Sequence, residues 1–183
     1  SCTANSGSDR VPRSGYSSWV AEAAKLGREK NPAGCWPAFS TASISVWRSM
    51  AAENARLNRV EARCSFKCAD VQTALHEKKH YDVVMLDPPA LAKARGQKRN
   101  ALGAYLALNR LAMDAVAPGG WLFTSSCSHF VDAPEFLEML KRAGRSAQRD
   151  LWVVRVCGAA PDHPVLMGVP ENEYLKFYLF QAV

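Results

Sequence analysis

Hydrophobic positions change their spacing repeatedly along the chain, and after residue 50 the changes predict a series of strands and helices. Residues 50–58 (MAAENARLN) are rich in strong helix formers and predict a helix. Residues 62–67 predict a short strand that ends at Asp70, and residues 71–79 a short helix or turn with a charged tail. Residues 81–86 form an apolar, β-branched run. Asp87-Pro88-Pro89 stops it, because two prolines cannot continue a strand. Leu102, Leu106, Leu108, Leu111, Met113 and Val116 recur near helical spacing, and Pro118-Gly119-Gly120 ends that helix. Residues 121–124 predict a brief strand running into Ser125-Ser126-Cys127-Ser128.

The next helix announces both ends. Asp132 suits its cap, Pro134 and Glu135 its first turn, Phe136, Leu137 and Leu140 its apolar side, and Gly144 its stop. Residues 151–157 and 174–180 then predict two strands joined by a proline-bearing loop. Alternation of strands and helices implies an α/β fold with a mostly parallel sheet covered on both faces. The last two strands have no helix between them, which predicts an antiparallel C-terminal hairpin. Residues 1–49 fit this scheme poorly. Residues 20–26 predict a helix, while residues 31–49 have no clear period and no acidic residue.

Composition narrows the class. A chain of 183 residues, 48% hydrophobic and 22% charged, suits one domain with a core that needs no disulfide or metal staple. It excludes a disordered tail, and no run of 18 apolar residues crosses a membrane. Residues 1–15 are polar and lack the apolar core of a secretion signal, so the cytoplasm is the expected compartment. A net charge of +6 hints at a polyanionic partner. Of the six cysteines, Cys2, Cys35, Cys64, Cys68, Cys127 and Cys157, only Cys64 and Cys68 lie close together. One such pair makes no zinc site, and most of the thiols are expected in the core.

In open α/β sheets, ligands bind at the carboxyl ends of the parallel strands. Asp70, Asp87-Pro88-Pro89 and Cys127 each follow a predicted strand. Asp70 reads either as a helix cap or as a ligand contact. Asp87-Pro88-Pro89 reads as a turn, or as a rigid exit that fixes an acceptor and a carbonyl for a flat heterocycle or amine. Cys127 reads as a buried thiol, or as a thiolate supported by Ser125, Ser126, Ser128 and His129. Lys93, Arg95, Lys98, Arg99 and Arg110 fall in a stretch without an acid between Asp87 and Asp114. That stretch is either a solvated loop or a grip on phosphates.

The segments YDVVMLDPP (81–89), Pro118-Gly119-Gly120, Ser126-Cys127-Ser128 and Asp162-His163-Pro164 through Pro170-Glu171 to Tyr174-Leu175-Lys176 resemble one family. It is the bacterial ribosomal large-subunit cytosine-C5 methyltransferase I family, class I S-adenosylmethionine-dependent enzymes acting on 23S ribosomal RNA. The resemblance covers about residues 50–183, beginning near Asn54-Ala55-Arg56-Leu57-Asn58. The Asp-Pro-Pro element is shared by many methyltransferases; its combination with Ser-Cys-Ser and the Asp-His-Pro tail is far more specific.

The resemblance implies a Rossmann-like methyltransferase sheet, S-adenosyl-L-methionine as cofactor, ribosomal RNA as partner and no metal. It implies Cys127 as the nucleophile that attacks cytosine C6, with Asp87 facing both methyl donor and base. Asp70 matches the carboxylate that accepts from the adenine amino group, with Val71 and Pro88 completing the cofactor contacts. Lys93, Arg95, Lys98 and Arg99 would hold RNA phosphates around a base drawn out of its stack. Leu91 stands where the family often carries phenylalanine. Gly15-Tyr16-Ser17-Ser18-Trp19 and Ala23-Ala24-Lys25-Leu26-Gly27 faintly echo the glycine-rich loop and helix, and residues 31–37 replace the second strand and its acid. The expected organisation is therefore a divergent or poorly ordered segment, 1–49, replacing the first strands, and a methyltransferase-like domain, 50–183, with a sheet incomplete at its N-terminus. Two rival readings are an inactive relative that binds RNA or assists assembly, and an amino-group methyltransferase using the Asp-Pro-Pro turn. The second normally follows its prolines with an aromatic residue, where this chain has Ala90.

Overall fold

A computed structural model describes residues 19–24, 41–69, 71–76, 80–92 and 94–183. Its elements are β1 (Trp19–Ala24), α1 (Thr41–Leu57), β2 (Cys64–Ala69), α2 (Val71–Leu75), β3 (Tyr81–Leu86), α3 (Lys98–Ala115), β4 (Val116–Ser126), α4 (Ala133–Ala147), β5 (Leu151–Cys157) and β6 (Lys176–Ala182). Strands and helices alternate as the hydrophobic pattern predicts. The clearest departure lies in the expected helix 20–26, whose last two residues fall outside the described ones: residues 20–24 belong to β1, which pairs in parallel with β2 from Trp19↔Cys64 to Ala24↔Ala69. Alanine-rich local propensity favours a helix there, and a long-range ladder overrides it. The aperiodic stretch before residue 50 also contains the first turns of α1, which runs on through Met50.

The larger sheet has the order β3-β4-β6-β5, with β3 and β4 parallel and both other pairings antiparallel. The C-terminal hairpin expected from the missing helix is β5 against β6. Pro118-Gly119-Gly120 lies inside a bulge: Tyr81 pairs with Val116, yet Val83 pairs with Trp121. Gly119 has φ 76°, and a Cβ on Gly120 would stand 2.9 Å from the carbonyl oxygens of Ala117 and Asp82. Only glycine passes the chain through that gap.

One face of this sheet carries the core. Leu122, Thr124 and Ser126 of β4 alternate with half-buried residues, as do Lys176, Tyr178, Phe180 and Ala182 of β6; all seven are buried. Against them pack Tyr105, Leu108 and Ala112 of α3 and Phe136, Met139, Leu140 and Ala143 of α4. Phe136 meets Tyr105 edge to face, with ring centroids 5.4 Å apart, and is fully buried. Burial of such a ring stabilises the fold by about 1.5–3 kcal/mol.

The start of α4 is built as its sequence predicts. Asp132 accepts a hydrogen bond from Glu135 N at 2.8 Å, and the Glu135 carboxylate accepts from Asp132 N at 3.2 Å, a complete capping box. Its end is not where Gly144 suggested. Gly144 is buried within the helix, which runs on to Ala147, and Gln148, at φ 52°, terminates it four residues after that glycine. No helix among the described residues is long and apolar enough to cross a membrane.

Candidate active site at the carboxyl ends of β3 and β4

The parallel ladder β3/β4 ends with Leu86 opposite Thr124. The next residues, Asp87 and Ser125, are therefore neighbours across the strands, and the Ser125 hydroxyl donates to Asp87 Oδ1. Leu86 and Pro88 are buried while Asp87 and Pro89 are exposed, so the double proline turns the carboxylate outward at a fixed point. Asp87 keeps its second oxygen as an acceptor.

Beyond Ser126 the chain forms a polar knot. Ser126 and Ser128 are fully buried, and Cys127 between them is half-buried. Ser128 N donates to Ser126 Oγ at 3.2 Å, and Ser126 Oγ donates to the Tyr105 hydroxyl at 3.0 Å. The Tyr105 and Ser128 hydroxyls share a hydrogen bond of 2.8 Å, and Ala92 N donates to Ser128 Oγ at 3.1 Å. One knot thus ties helix α3, the cysteine turn and the loop after Asp87-Pro88-Pro89. It extends through α3: Asn109 Nδ2 donates to the Tyr105 carbonyl at 2.9 Å, and Thr124 Oγ1 donates to Asn109 Oδ1 at 2.7 Å. Two serines pull inward on either side of the cysteine, which leaves the thiol facing out.

Lys176 closes the turn from below. It stands opposite Ser126 across β4/β6, is only 5% exposed, and donates to the carbonyls of Ser128 and Val131, each at 2.6 Å. Burial lowers its affinity for a proton, opposed by the nearby Cys127 and Asp132.

The structure brings Asp87, Pro88 and Cys127 to one sheet edge. Asp70 and Lys93 lie outside the described residues. Val71 opens α2 and packs partly buried against the core; the strand before it, β2, pairs with β1 in a separate two-stranded sheet. In the basic stretch, Arg95 and Arg99 are exposed, whereas Lys98 pairs with Glu135 at 2.5 Å and Arg110 with Asp114 at 3.1 Å. Leu91 is buried in the core, so it offers no surface for stacking. The expectation of mostly buried thiols fails for those whose exposure is described: Cys64 and Cys127 are half-buried and Cys157 is exposed. Tyr105, Asn109 and Lys176 were not foreseen as site supports. Their signals were a tyrosine and an asparagine within the apolar stripe of α3 and a lysine on the inward phase of β6.

Comparisons with known proteins point to one family. Ribosomal RNA large subunit methyltransferase I of Aeromonas salmonicida is 35% identical over 138 residues, covering 73% of this chain and 35% of the relative. The protein of that name from Vibrio cholerae serotype O1 is 38% identical over 130 residues, covering 67% and 33%. Over the part it spans, the chain belongs to that family. It spans about a third of the length of these curated relatives. No family model matches. Among solved structures, SMU.776, described as a methyltransferase and complexed with SAH, covers 78% of this chain with a TM-score of 0.62 at 15% identity. A structure described as a SAM-dependent methyltransferase from Streptococcus mutans covers the same share with a TM-score of 0.63. At that identity the likeness establishes a Rossmann-like methyltransferase fold.

Proposed function

We propose that this chain methylates cytosine C5 in large-subunit ribosomal RNA through a covalent adduct of Cys127, with residues 50–183 as the methyltransferase unit. The observation that carries the reading is the outward thiol: Ser126 and Ser128 are locked inward by Tyr105 and Ala92 N, and Cys127 is left half-exposed on the edge it shares with Asp87. Cytosine C5 is a weak nucleophile, and a thiolate added at C6 supplies the electron density it lacks.

S-adenosylmethionine, when bound, offers a methyl group on a sulfonium. Its fit here is read from the acceptors on offer: among the described residues Asp87 has one carboxylate oxygen without a hydrogen bond and Pro88 a fixed main-chain carbonyl, both suited to amino and amide hydrogens. Val71, at the head of α2, and Asp70 would serve the adenosine end. Cys127 then gives its lone pair to C6, forming an Sγ–C6 bond while the C5=C6 π pair moves towards C5. C5, so activated, would receive the methyl carbon that the bound cofactor supplies, the bonding pair staying on the donor sulfur. Asp87 accepts a hydrogen bond from the base or helps remove the C5 proton. The released C–H pair restores C5=C6, and Cys127 departs as thiolate. Arg95 and Arg99, both exposed, would grip phosphates, with Lys93 and Lys98 assisting. A target in a loop or single strand is favoured, because the base must leave its stack.

The amino-group reading gains nothing from this geometry. Leu91 and Ala92 are packed in the core, so the loop after the prolines carries no ring to stack an amine-bearing base. The test has two arms. Calorimetric titration with S-adenosylmethionine must give binding below millimolar concentration; none would leave the RNA-binding, inactive relative as the better account. Transfer of labelled methyl to 23S RNA should then yield 5-methylcytosine, with Cys127→Ala abolishing transfer and leaving cofactor affinity nearly unchanged. A fully active alanine variant would remove Cys127 from the mechanism.

A further inference from the structure

We infer that Lys176 is a positioning residue for Cys127: its ammonium clamps the turn that presents the thiol and sets a buried positive charge against the backbone of that turn. The inference rests on the reading of Cys127 as nucleophile and adds a residue to it.

The placement follows from register. Ser126↔Lys176 is the terminal pair of the β4/β6 ladder, so Lys176 stands beside the last residue before Cys127. The alternation of β6 sends its side chain inward with Tyr178 and Phe180. There Nζ reaches the carbonyls of Ser128 and Val131, which bracket the segment between Cys127 and α4. Among the described residues these are its two hydrogen-bond acceptors, and an ammonium has three hydrogens.

Two neutral carbonyls do not require a cation. A glutamine could donate to the same oxygens without the desolvation that a buried charge costs. A lysine is the better choice only where a negative charge appears nearby. The ionisable groups facing it are Cys127, at the end of β4, and Asp132, the cap of α4; both favour its charged form. Asp132 is exposed and already occupied by Glu135 N. The thiolate of Cys127, present before attack and again after expulsion, is the charge that the ammonium can serve throughout the cycle. No proton passes through Lys176; it acts by charge and by holding the turn.

The probe is iodoacetamide, applied to the whole chain at neutral pH without RNA or cofactor, with alkylation of each cysteine followed by peptide mass spectrometry. Exposed Cys157 is the internal reference. In Lys176→Met, Cys127 should alkylate about tenfold more slowly, because the sulfur loses the positive charge held against its turn. Lys176→Arg should stay within about threefold of the parent. Loss of the clamp alone would work the other way, since a loosened turn exposes the sulfur and speeds the reaction. If circular dichroism finds the methionine variant unfolded, Lys176→Gln replaces it with the same slowing expected. An unchanged or faster rate at Cys127, with Cys157 constant, would overturn the inference. Because the assay needs neither substrate, slowing without methyl transfer would sink the proposed reaction alone. Cys127-dependent transfer without slowing would sink the role of Lys176 alone.

Discussion

Replacing Tyr105 by phenylalanine isolates the knot that holds the candidate site. The ring and its edge-to-face contact with Phe136 remain; only the hydroxyl goes. Its partners are Ser128 Oγ at 2.8 Å, Ser126 Oγ at 3.0 Å and, at a long 3.5 Å, Leu91 N. Ser128 Oγ would still accept from Ala92 N, and Ser126 Oγ from Ser128 N. The Ser126 hydroxyl hydrogen, however, loses its acceptor in a fully buried place. A net hydrogen bond is worth about 1 kcal/mol and a stranded buried donor up to about 3, so Tyr105→Phe should cost about 2 kcal/mol. For a chain of this size that is roughly a 4–8 °C fall in Tm. Urea titration followed by far-ultraviolet circular dichroism measures it, with an unchanged slope. Tyr178→Phe is the matched control: among the described residues its hydroxyl reaches only the Ala133 carbonyl at 3.5 Å, and its loss should cost less than about 0.5 kcal/mol. Equal losses in the two variants, or a Tyr105→Phe cost below about 0.5 kcal/mol, would refute the idea that this hydroxyl organises the turn.

Three further outcomes follow from the same structure. Asp132→Ala removes the cap of α4 and should cost about 1 kcal/mol in the same titration; a neutral change would deny the capping box any role. Burial lowers the proton affinity of Lys176, so below its ordinary pKa of 10.5 the unfolded chain binds more protons than the folded one. Stability should therefore rise with pH between the lowered value and 10.5. The stability of the parent relative to Lys176→Met should grow in that window, and a flat difference would contradict it. Arg95→Ala and Arg99→Ala should each reduce the salt dependence of 23S RNA binding by about one unit of log–log slope. Lys98→Ala should do less, since Lys98 is tied to Glu135; the reverse order would misplace the RNA path.

The sequence disclosed whatever rests on local chemistry. The cap at Asp132, the stop at Asp87-Pro88-Pro89 and the strand at residues 151–157 are written in adjacent residues, and each stands where the pattern put it. What rests on distant pairing was hidden. Alanine-rich β1 is a strand because β2 lies beside it, and Gly144 stays inside α4, buried next to Leu151 and Met113, where adjacent residues alone suggested a stop. At the site, the nucleophile and carboxylate candidates were legible as residues after strands. Their supports were not. Tyr105, Asn109 and Lys176 read as parts of an apolar helix and strand, and only the meeting of α3, β4 and β6 gives them partners. The alternation of β6 did carry a signal, for a lysine in phase with Tyr178 and Phe180 needs a buried reason to be there.

The central claim is a bond between Cys127 and cytosine C6, and covalent capture tests it most directly. In RNA carrying 5-fluorocytidine at the target, C5 has no proton to lose after methyl transfer, so the Sγ–C6 bond cannot be released by the usual elimination. Incubated with S-adenosylmethionine and that RNA, the chain should form a one-to-one adduct, and peptide mass spectrometry should find the nucleotide on Cys127. The adduct should vanish in Cys127→Ala. Methyl transfer to ordinary RNA without any such adduct, or an adduct on Cys64 or Cys157, would contradict the account.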